Sequence, residues 1–341
     1  MDSLKLLLCF YPRFVKYNYG IALLSALCKK RGIEVDMHMF GRVQDFFTQL
    51  RDKRYDYIGF SVTSRKEYPK ILPFAKLARD TGHKTLLGGT WLNLMHPVDE
   101  DVFDGVCRGE GETLPDFLLS WDTKLFKSPM IHTDLNTLPI PDYELFENIP
   151  FKRGVPVLDD QKVLPYMSSR GCPHKCMFCQ AQHQPFHRIR TKVFRDLEEI
   201  TGRYKPEALF MLDTILPYDS TRWRGSWMDF RYPFVAYIRA SIKPDILLWL
   251  IDRGLKGCAF GIESGDEQYR NDVLKKDLSD DEIWRTIGIL NKHNVPYSTY
   301  WMRNTPGEKM IHQMKTEQMM RKMEGYTCLA SYEELLWQSE Q

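Results

Sequence analysis

The sequence predicts a chain of two α/β halves, and two observations support this prediction. Short apolar runs alternate with segments of helical periodicity in both halves, and a proline-rich stretch separates the two halves. Strict alternation of strand and helix is typical of parallel sheets that are covered by helices. A chain of 341 residues with 43% hydrophobic residues is long enough for each half to bury its own core.

The first half, residues 1–121, contains five predicted strands. They are Leu4–Phe10, Ile33–Met39, Tyr57–Ser61, Thr85–Leu87 and Val106–Cys107. Apolar residues at helical spacing surround Phe46 and Phe74 between these strands. Gly32 and Gly82 stand where helix C-termini would need them. We therefore predict a doubly wound, Rossmann-like parallel sheet, which would bind ligands at the carboxyl ends of its strands.

Residues 122–162 contain five prolines, and we predict that they form a connector. A second alternation covers residues 163–341. Its predicted strands are Val163–Ser168, Ala208–Leu212, Phe234–Arg239, Gly257–Glu263, Pro296–Met302 and Tyr326–Ala330, and its predicted helices are Phe194–Tyr204, Pro244–Arg253, Asp280–His293 and Lys309–Glu324. Ser279 and Glu282 have the spacing of a capping box. Six βα units predict a partial (β/α)6 barrel of the TIM type, open on one side.

Composition and charge exclude several classes of protein. The net charge of +2 with 27% charged residues does not indicate a nucleic-acid partner, and the basic stretch of residues 187–195 is interpreted as a solvated helix face. No run is long enough for a membrane span or suited to a signal peptide, so we expect a soluble cytoplasmic protein. Five cysteines are interpreted as small core residues, namely Cys9, Cys28, Cys107, Cys258 and Cys328.

The remaining three cysteines lie close together directly after the first predicted strand of the second half. Cys172, Cys176 and Cys179 are separated by three and then two residues. Three thiolates at this spacing can converge on a four-iron, four-sulfur cluster and leave one iron open to an outside ligand. In a reducing compartment such spacing indicates metal or redox chemistry rather than disulfides.

The three cysteines are also compatible with a structural zinc site. His174, His183 or His187 would then supply the fourth ligand, since three cysteines and one histidine are a common zinc set. A chain of that kind would be a zinc-binding interaction protein rather than an enzyme.

The run "RGCPHKCMFC" resembles the cluster loop of the radical S-adenosylmethionine (SAM) superfamily. The later segments "FMLDT", "YIRAS", "GIESGDEQ" and "NTPGEK" resemble the strand-end motifs of that family, in the same order. In the first half, "YDYIGFSVTS", "TLLGGTWLN" and "VCRGEGE" resemble a cobalamin-binding domain. The resemblance therefore covers nearly the whole chain.

This resemblance implies that the three cysteines hold a 4Fe-4S cluster and that SAM fills the open iron through its amino and carboxylate groups. The edge of Phe178 would lie against the adenine. Glu263 and Ser264 would contact the ribose or methionyl portion, although Glu263 would also suit a helix cap. Asp213 and Arg239 end neighbouring strands and would face the same cavity, or would instead pair with each other.

Tyr297, Thr299 and Trp301 alternate along the fifth predicted strand of the second half. They are interpreted as core residues, with a contribution to the substrate pocket as the alternative.

The resemblance also implies cobalamin at the carboxyl edge of the first half. The matching loops are Tyr11–Tyr19, Val62–Arg65 and Gly88–Thr90, with Gly88, Gly89 and Thr90 as candidate binding residues. The loop after the first strand lacks the histidine of the D-x-H-x-x-G motif, which gives cobalt its lower ligand. A vestigial domain that serves as a scaffold is therefore the alternative.

The expected function is a radical SAM enzyme that methylates an unactivated carbon through cobalamin. The alternative enzyme is a radical enzyme that performs a rearrangement or dehydrogenation without cobalamin. Either would need a one-electron reductant such as flavodoxin or ferredoxin. The substrate would be a small molecule, or a larger molecule at the open side of the barrel, and its identity does not follow from the fold.

Overall fold

The computed structural model describes residues 3–11, 17–94, 97–99, 101–121, 133–147, 161–179, 188–189, 192–216 and 230–331. The chain divides into two units, residues 1–153 and 154–341. Within the described residues, every helix is too short or too polar to cross a lipid bilayer.

The described part of the first unit contains a sheet of five parallel strands with four α-helices. The strands are β1 (Lys5–Phe10), β2 (Glu34–Met39), β3 (Tyr57–Ser61), β4 (Lys84–Gly88) and β5 (Gly105–Val106), and the helices are α1 (Tyr19–Lys30), α2 (Val43–Asp52), α3 (Tyr68–Asp80) and α4 (Leu114–Ser120). The strand order is β2-β1-β3-β4-β5. The predicted doubly wound sheet is confirmed, with a switch point between β1 and β3, where the strand order reverses.

Aromatic side chains hold α2 and α3 against this sheet. The ring centroid of Phe46 on α2 lies 6.3 Å from that of Phe60 on β3 and 5.5 Å from that of Phe74 on α3. All three side chains are buried. Because these rings come from three different elements, burial of their apolar surface stabilises the packing of both helices on the sheet.

Part of the predicted connector belongs to the first unit. Residues 133–147 pack beside α1, where the buried Asp142 carboxylate accepts hydrogen bonds from Ser25 Oγ and Lys29 Nζ, both at 2.6 Å. Residues 122–132 and 148–160 of the predicted connector lie outside the described residues.

The second unit contains a sheet of six parallel strands and a short antiparallel ribbon. Its strands are β6 (Val163–Tyr166), β7 (Ser169–Arg170), β8 (Arg188–Ile189), β9 (Ala208–Met211), β10 (Phe234–Tyr237), β11 (Leu255–Glu263), β12 (Tyr297–Arg303) and β13 (Tyr326–Ser331). Its described helices are α5 (Val193–Tyr204), α6 (Pro244–Asp252), α7 (Glu267–Asp272), α8 (Asp280–Lys292) and α9 (Met310–Met320).

The sheet follows chain order, β6-β9-β10-β11-β12-β13, while β7 pairs only with β8. Among the described strands β6 and β13 are the two edges and do not pair, so the sheet is not closed into a complete barrel. The predicted partial barrel is confirmed, with all six predicted strands in one parallel sheet.

The core of the second unit includes one face of β12. Tyr297, Thr299 and Trp301 are all buried, and Trp301 Nε1–H donates to Thr299 Oγ1 at 2.9 Å. The interpretation of these residues as core is therefore confirmed. Ser279 and Glu282 form the predicted capping box at the start of α8.

We expect Gly89→Ala to destabilise the protein more than Gly82→Ala does. Gly82 has a φ of +84°, and a Cβ atom there would meet nothing within 4 Å, so only backbone strain of about 1–2 kcal/mol is expected. Gly89 has a φ of +114°, and a Cβ atom there would overlap the Val62 backbone. This overlap should raise the loss to about 3 kcal/mol or more. Urea unfolding of the full-length variants measures both losses, and equal losses would contradict the packing described.

Candidate functional site

The three predicted cysteines lie on one loop, residues 171–179, hereafter the cysteine loop, which follows β6 and β7. The ribbon of β7 and β8 closes the base of this loop. Gly171 has a φ of +94°, a conformation that turns the chain directly before Cys172 and favours glycine. At the other end the Cys179 backbone N–H donates to the Cys176 carbonyl at 3.1 Å. The thiols are therefore presented at the carboxyl end of the first barrel strand, as predicted.

None of the three cysteines forms a disulfide, and Cys176 is buried while the other two are half-buried. Burial raises the pKa of the Cys172 thiol above its ordinary value. The backbone N–H of His174 and the charges of Arg239 and Lys276 act in the opposite direction. Burial, together with these same two charges, lowers the pKa of His174 to about 4, so its imidazole is neutral at pH 7. Binding of a metal centre would therefore release a thiol proton, and the two cations would favour the resulting thiolate.

Asp213, two residues beyond β9, fixes the chain just before the cysteine loop. Its buried carboxylate accepts hydrogen bonds from the Ser168 backbone N–H at 3.1 Å, from Ser168 Oγ at 2.6 Å and from Ser169 Oγ at 2.5 Å. Burial raises the pKa of Asp213 above its ordinary value, and these hydrogen bonds act in the opposite direction without reversing the rise. The predicted alternative, a pair between Asp213 and Arg239, is not formed between these two described residues.

Arg239, two residues beyond β10, directs its guanidinium at the cysteine loop. Its Nη1–H donates to Cys176 Sγ at 3.9 Å. Its Nη2–H donates to the Asp277 carbonyl at 2.9 Å, and its Nε–H donates to Ser241 Oγ at 3.0 Å. The side chain is only 8% exposed. Arg239 therefore contributes a buried positive charge next to a predicted cluster ligand.

Glu263, the last residue of β11, forms a buried ion pair with Lys276. Its Oε1 lies 2.9 Å from Lys276 Nζ. A Cβ atom at position 261 would overlap Glu263 Oε1, so the carboxylate occupies space that Gly261 leaves free. The Lys276 ammonium also lies 5.5 Å from the ring centroid of Phe178, within the range of a cation–π interaction. Lys276 therefore contacts both Glu263 and Phe178.

The segment of residues 274–277 also contacts the cysteine loop, and the sequence analysis did not single it out. Its Leu274 carbonyl accepts a hydrogen bond from the Met177 backbone N–H at 3.1 Å. Its Asp277 carbonyl accepts the hydrogen bond from Arg239. The segment therefore fixes the middle of the cysteine loop and orients the guanidinium.

Arg270 forms hydrogen bonds to residues on either side of this segment. Its fully buried guanidinium donates to the Leu278 carbonyl at 2.8 Å and to the Ser264 carbonyl at 2.7 Å, and it pairs with Asp280 Oδ1 at 2.6 Å. The Ser264 hydroxyl accepts a hydrogen bond from the Asp266 N–H at 3.2 Å. Two polar groups of Ser264 thus bond within the protein, so they help to order the turn that follows β11.

The donor set of the cysteine loop is compatible with an iron–sulfur cluster. Among the described residues, no three His, Cys, Asp or Glu side chains are placed to hold a single metal ion, and His174 completes no zinc set. His183 and His187 lie outside the described residues. A cubane cluster spreads its ligands more widely than a single ion does, because each thiolate binds a different iron. Three cysteines outside any disulfide, beside a buried guanidinium, suit such a cluster.

In the first unit, the candidate cobalamin residues lie at the carboxyl end of β4, beside the loop that follows β3. The Val62 N–H donates to the Gly88 carbonyl at 2.8 Å, and the Trp91 N–H donates to the Val62 carbonyl at 3.3 Å. Gly89 is needed where these two loops approach each other, and the exposed Thr90 begins a short 3₁₀ helix. Most of the loop after β1, residues 12–16, lies outside the described residues.

We expect Asp213→Ala to lower the iron content of the protein after anaerobic reconstitution. The substitution leaves three buried donors without their acceptor, at about 1–3 kcal/mol for each, and it releases the start of the cysteine loop. Asp142→Ala is the matched control, because it removes a buried carboxylate from the first unit and should retain wild-type iron loading. Iron per folded chain is the measurement, and unchanged loading in Asp213→Ala would contradict the anchoring role.

Comparison with known proteins bears on both units. Residues 9–118 match the B12 binding domain family. This region contains most of the first unit's sheet, including the loops after β1, β3 and β4. A search of curated protein sequences finds no significant match.

Two solved structures of the radical SAM methyltransferase TsrM from Kitasatospora setae are similar to the chain. The structure with tryptophan substrate and the SAM analog aza-SAM bound is 12% identical, and the match covers 95% of this chain and 72% of that chain with a TM-score of 0.74. The structure with cobalamin and a [4Fe-4S] cluster bound is 10% identical, with coverages of 96% and 72% and a TM-score of 0.73. The chain therefore shares the fold of these TsrM structures, and its first unit matches the B12 binding domain family.

Proposed function

We propose that the chain is a radical SAM enzyme that holds a 4Fe-4S cluster on Cys172, Cys176 and Cys179. The observation that carries this proposal is the cysteine loop, which places three cysteines without disulfides at the carboxyl end of the first barrel strand in a fold shared with TsrM. When bound, the cluster would supply one electron to SAM, whose carbon–sulfur bond would break to give methionine and a 5′-deoxyadenosyl radical.

The residues around the loop have proposed roles that follow from their positions. Phe178 would lie against the adenine, and Glu263 and Ser264 would lie near the ribose or methionyl portion. Because Glu263 is paired with Lys276 and buried, its carboxylate has a fixed position before SAM binds. Asp213 would act by holding the loop rather than by touching SAM, since its oxygens accept bonds from Ser168 and Ser169.

We further propose that the reaction is a cobalamin-dependent methyl transfer to an unactivated carbon. The match of residues 9–118 to the B12 binding domain family and the cobalamin-bound structure of TsrM support this assignment. Cobalamin would bind at the carboxyl edge of the first unit, near Gly88, Gly89 and Thr90. Position 89 carries no side chain because the Val62 backbone lies too close for a Cβ atom, so this part of the edge is open to a bulky ligand.

One observation favours a second candidate, a radical enzyme that does not use cobalamin. The loops Tyr11–Tyr19, Val62–Arg65 and Gly88–Thr90 contain no histidine, so they offer no imidazole to cobalt. In this alternative the first unit would be a scaffold, and the radical would drive a rearrangement or dehydrogenation.

Both candidates require an electron donor and a substrate. We propose a one-electron reductant such as flavodoxin or ferredoxin, in the reducing setting of the cytoplasm. The substrate would be a small molecule, or a larger one that reaches the site through the open side of the barrel.

Incubation with SAM, methylcobalamin and a reductant should yield both 5′-deoxyadenosine and S-adenosylhomocysteine. Cys176→Ala should abolish both products, because the cluster loses a ligand. Cys258→Ala is the control, since Cys258 is a buried core cysteine on β11 and its removal should retain both products. Chromatography of the nucleosides is the measurement. 5′-Deoxyadenosine alone would favour the cobalamin-independent alternative, and S-adenosylhomocysteine alone would contradict the radical step.

Binding of cobalamin can be tested separately from turnover. We expect the purified chain to retain cob(II)alamin whose electron paramagnetic resonance (EPR) spectrum shows no coupling to a histidine nitrogen, because the edge loops carry no histidine. Uniform ¹⁵N labelling of the protein should then leave the spectrum unchanged. A label-dependent change would show that a protein nitrogen binds cobalt, and failure to retain cobalamin would support the scaffold alternative.

A further inference from the structure

Among the described residues no carboxylate balances the charge of Arg239, whereas the other buried cations have carboxylate partners. The described residues contain three buried Lys or Arg side chains, namely Arg239, Arg270 and Lys276. Arg270 pairs with Asp280 at 2.6 Å, and Lys276 pairs with Glu263 at 2.9 Å.

The polar contacts of Arg239 go to neutral oxygens and to sulfur. Its Nε–H and Nη2–H bond the Ser241 hydroxyl and the Asp277 carbonyl, and its Nη1–H is directed at Cys176 Sγ at 3.9 Å. No carboxylate of the described residues lies within 4.0 Å of the guanidinium. Sulfur is therefore the one partner in this set that can carry a negative charge.

A buried cation without a neighbouring anion destabilises the folded protein, because no charge interaction offsets the free energy lost on its desolvation. A guanidinium cannot avoid this cost by losing its proton. The cost falls if the neighbouring sulfur belongs to an anionic centre, and a cluster with three thiolate ligands is anionic in sum. The three hydrogen bonds also fix the direction in which the guanidinium points.

We propose that Arg239 is the counter-ion of the metal centre and raises its reduction potential. This inference rests on the proposed function, since it requires a cluster on the cysteine loop. Reduction adds one negative charge to the centre, so a fixed positive charge and an N–H···S hydrogen bond stabilise the reduced form more than the oxidised form. Lys276 is expected to contribute less, because the Glu263 carboxylate balances its charge.

The test is an EPR-monitored redox titration of the reconstituted full-length protein without SAM. Arg239→Met should lower the equilibrium constant for one-electron reduction about tenfold, a shift of about 59 mV to more negative potential. Arg239→Lys keeps the charge and should shift the potential less. Arg231→Met is the matched control, because this exposed arginine pairs with Asp252 and should leave the potential at its wild-type value.

Ser241→Ala provides a second test of the inference in case the Arg239 variants do not fold. It removes only the hydrogen bond to Nε and should give a smaller shift in the same direction. If the wild-type protein takes up no cluster, the proposed function fails. If the cluster loads and both Arg239→Met and Ser241→Ala keep the wild-type potential, the inference about Arg239 is wrong while the proposed function stands. If Arg239→Met loads no cluster, an unshifted Ser241→Ala overturns the inference.

Discussion

The position of the cysteine loop depends on buried polar groups that come from outside it. Asp213 beyond β9 holds its start, Arg239 beyond β10 reaches Cys176, and the segment of residues 274–277 holds its middle. The loop contains no helix or sheet strand of its own between positions 171 and 179. Hydrogen bonds in such buried surroundings are strong, and leaving any of them unmade is costly. The placement of the three thiols therefore depends on residues that follow other strands of the sheet and on the segment of residues 274–277.

Parallel strands explain why these partners meet. In a parallel sheet all carboxyl ends lie on one edge, so residues far apart in sequence become neighbours there. Asp213 and Ser168 are 45 positions apart, and Arg239 and Cys176 are 63 apart. The same rule acts within the first unit, where the loops after β3 and β4 bond to each other through Val62. Each sheet therefore offers one edge on which a ligand site can be built.

The sequence was sufficient to predict most strands, because each is an apolar run bounded by turn residues, and it placed Asp213, Arg239 and Glu263 at strand ends. It did not reveal their partners, since these depend on tertiary contacts. Lys276 was not predicted, because it lies in an irregular segment that carries no periodic signal. Its neighbours Lys275 and Asp277 both have positive φ. The helices α4 and α7 and the ribbon of β7 and β8 were not predicted. The ribbon strands are two residues each, too short to give a pattern.

The central claim is that three cysteines hold a cluster with one iron left for SAM. Its most direct test is the iron, sulfide and zinc content of anaerobically purified protein, with its Mössbauer spectrum before and after addition of SAM. The account predicts about four irons and four sulfides per chain and a change at one iron when SAM is added. One zinc without sulfide, or a cluster whose spectrum SAM does not alter, would contradict it.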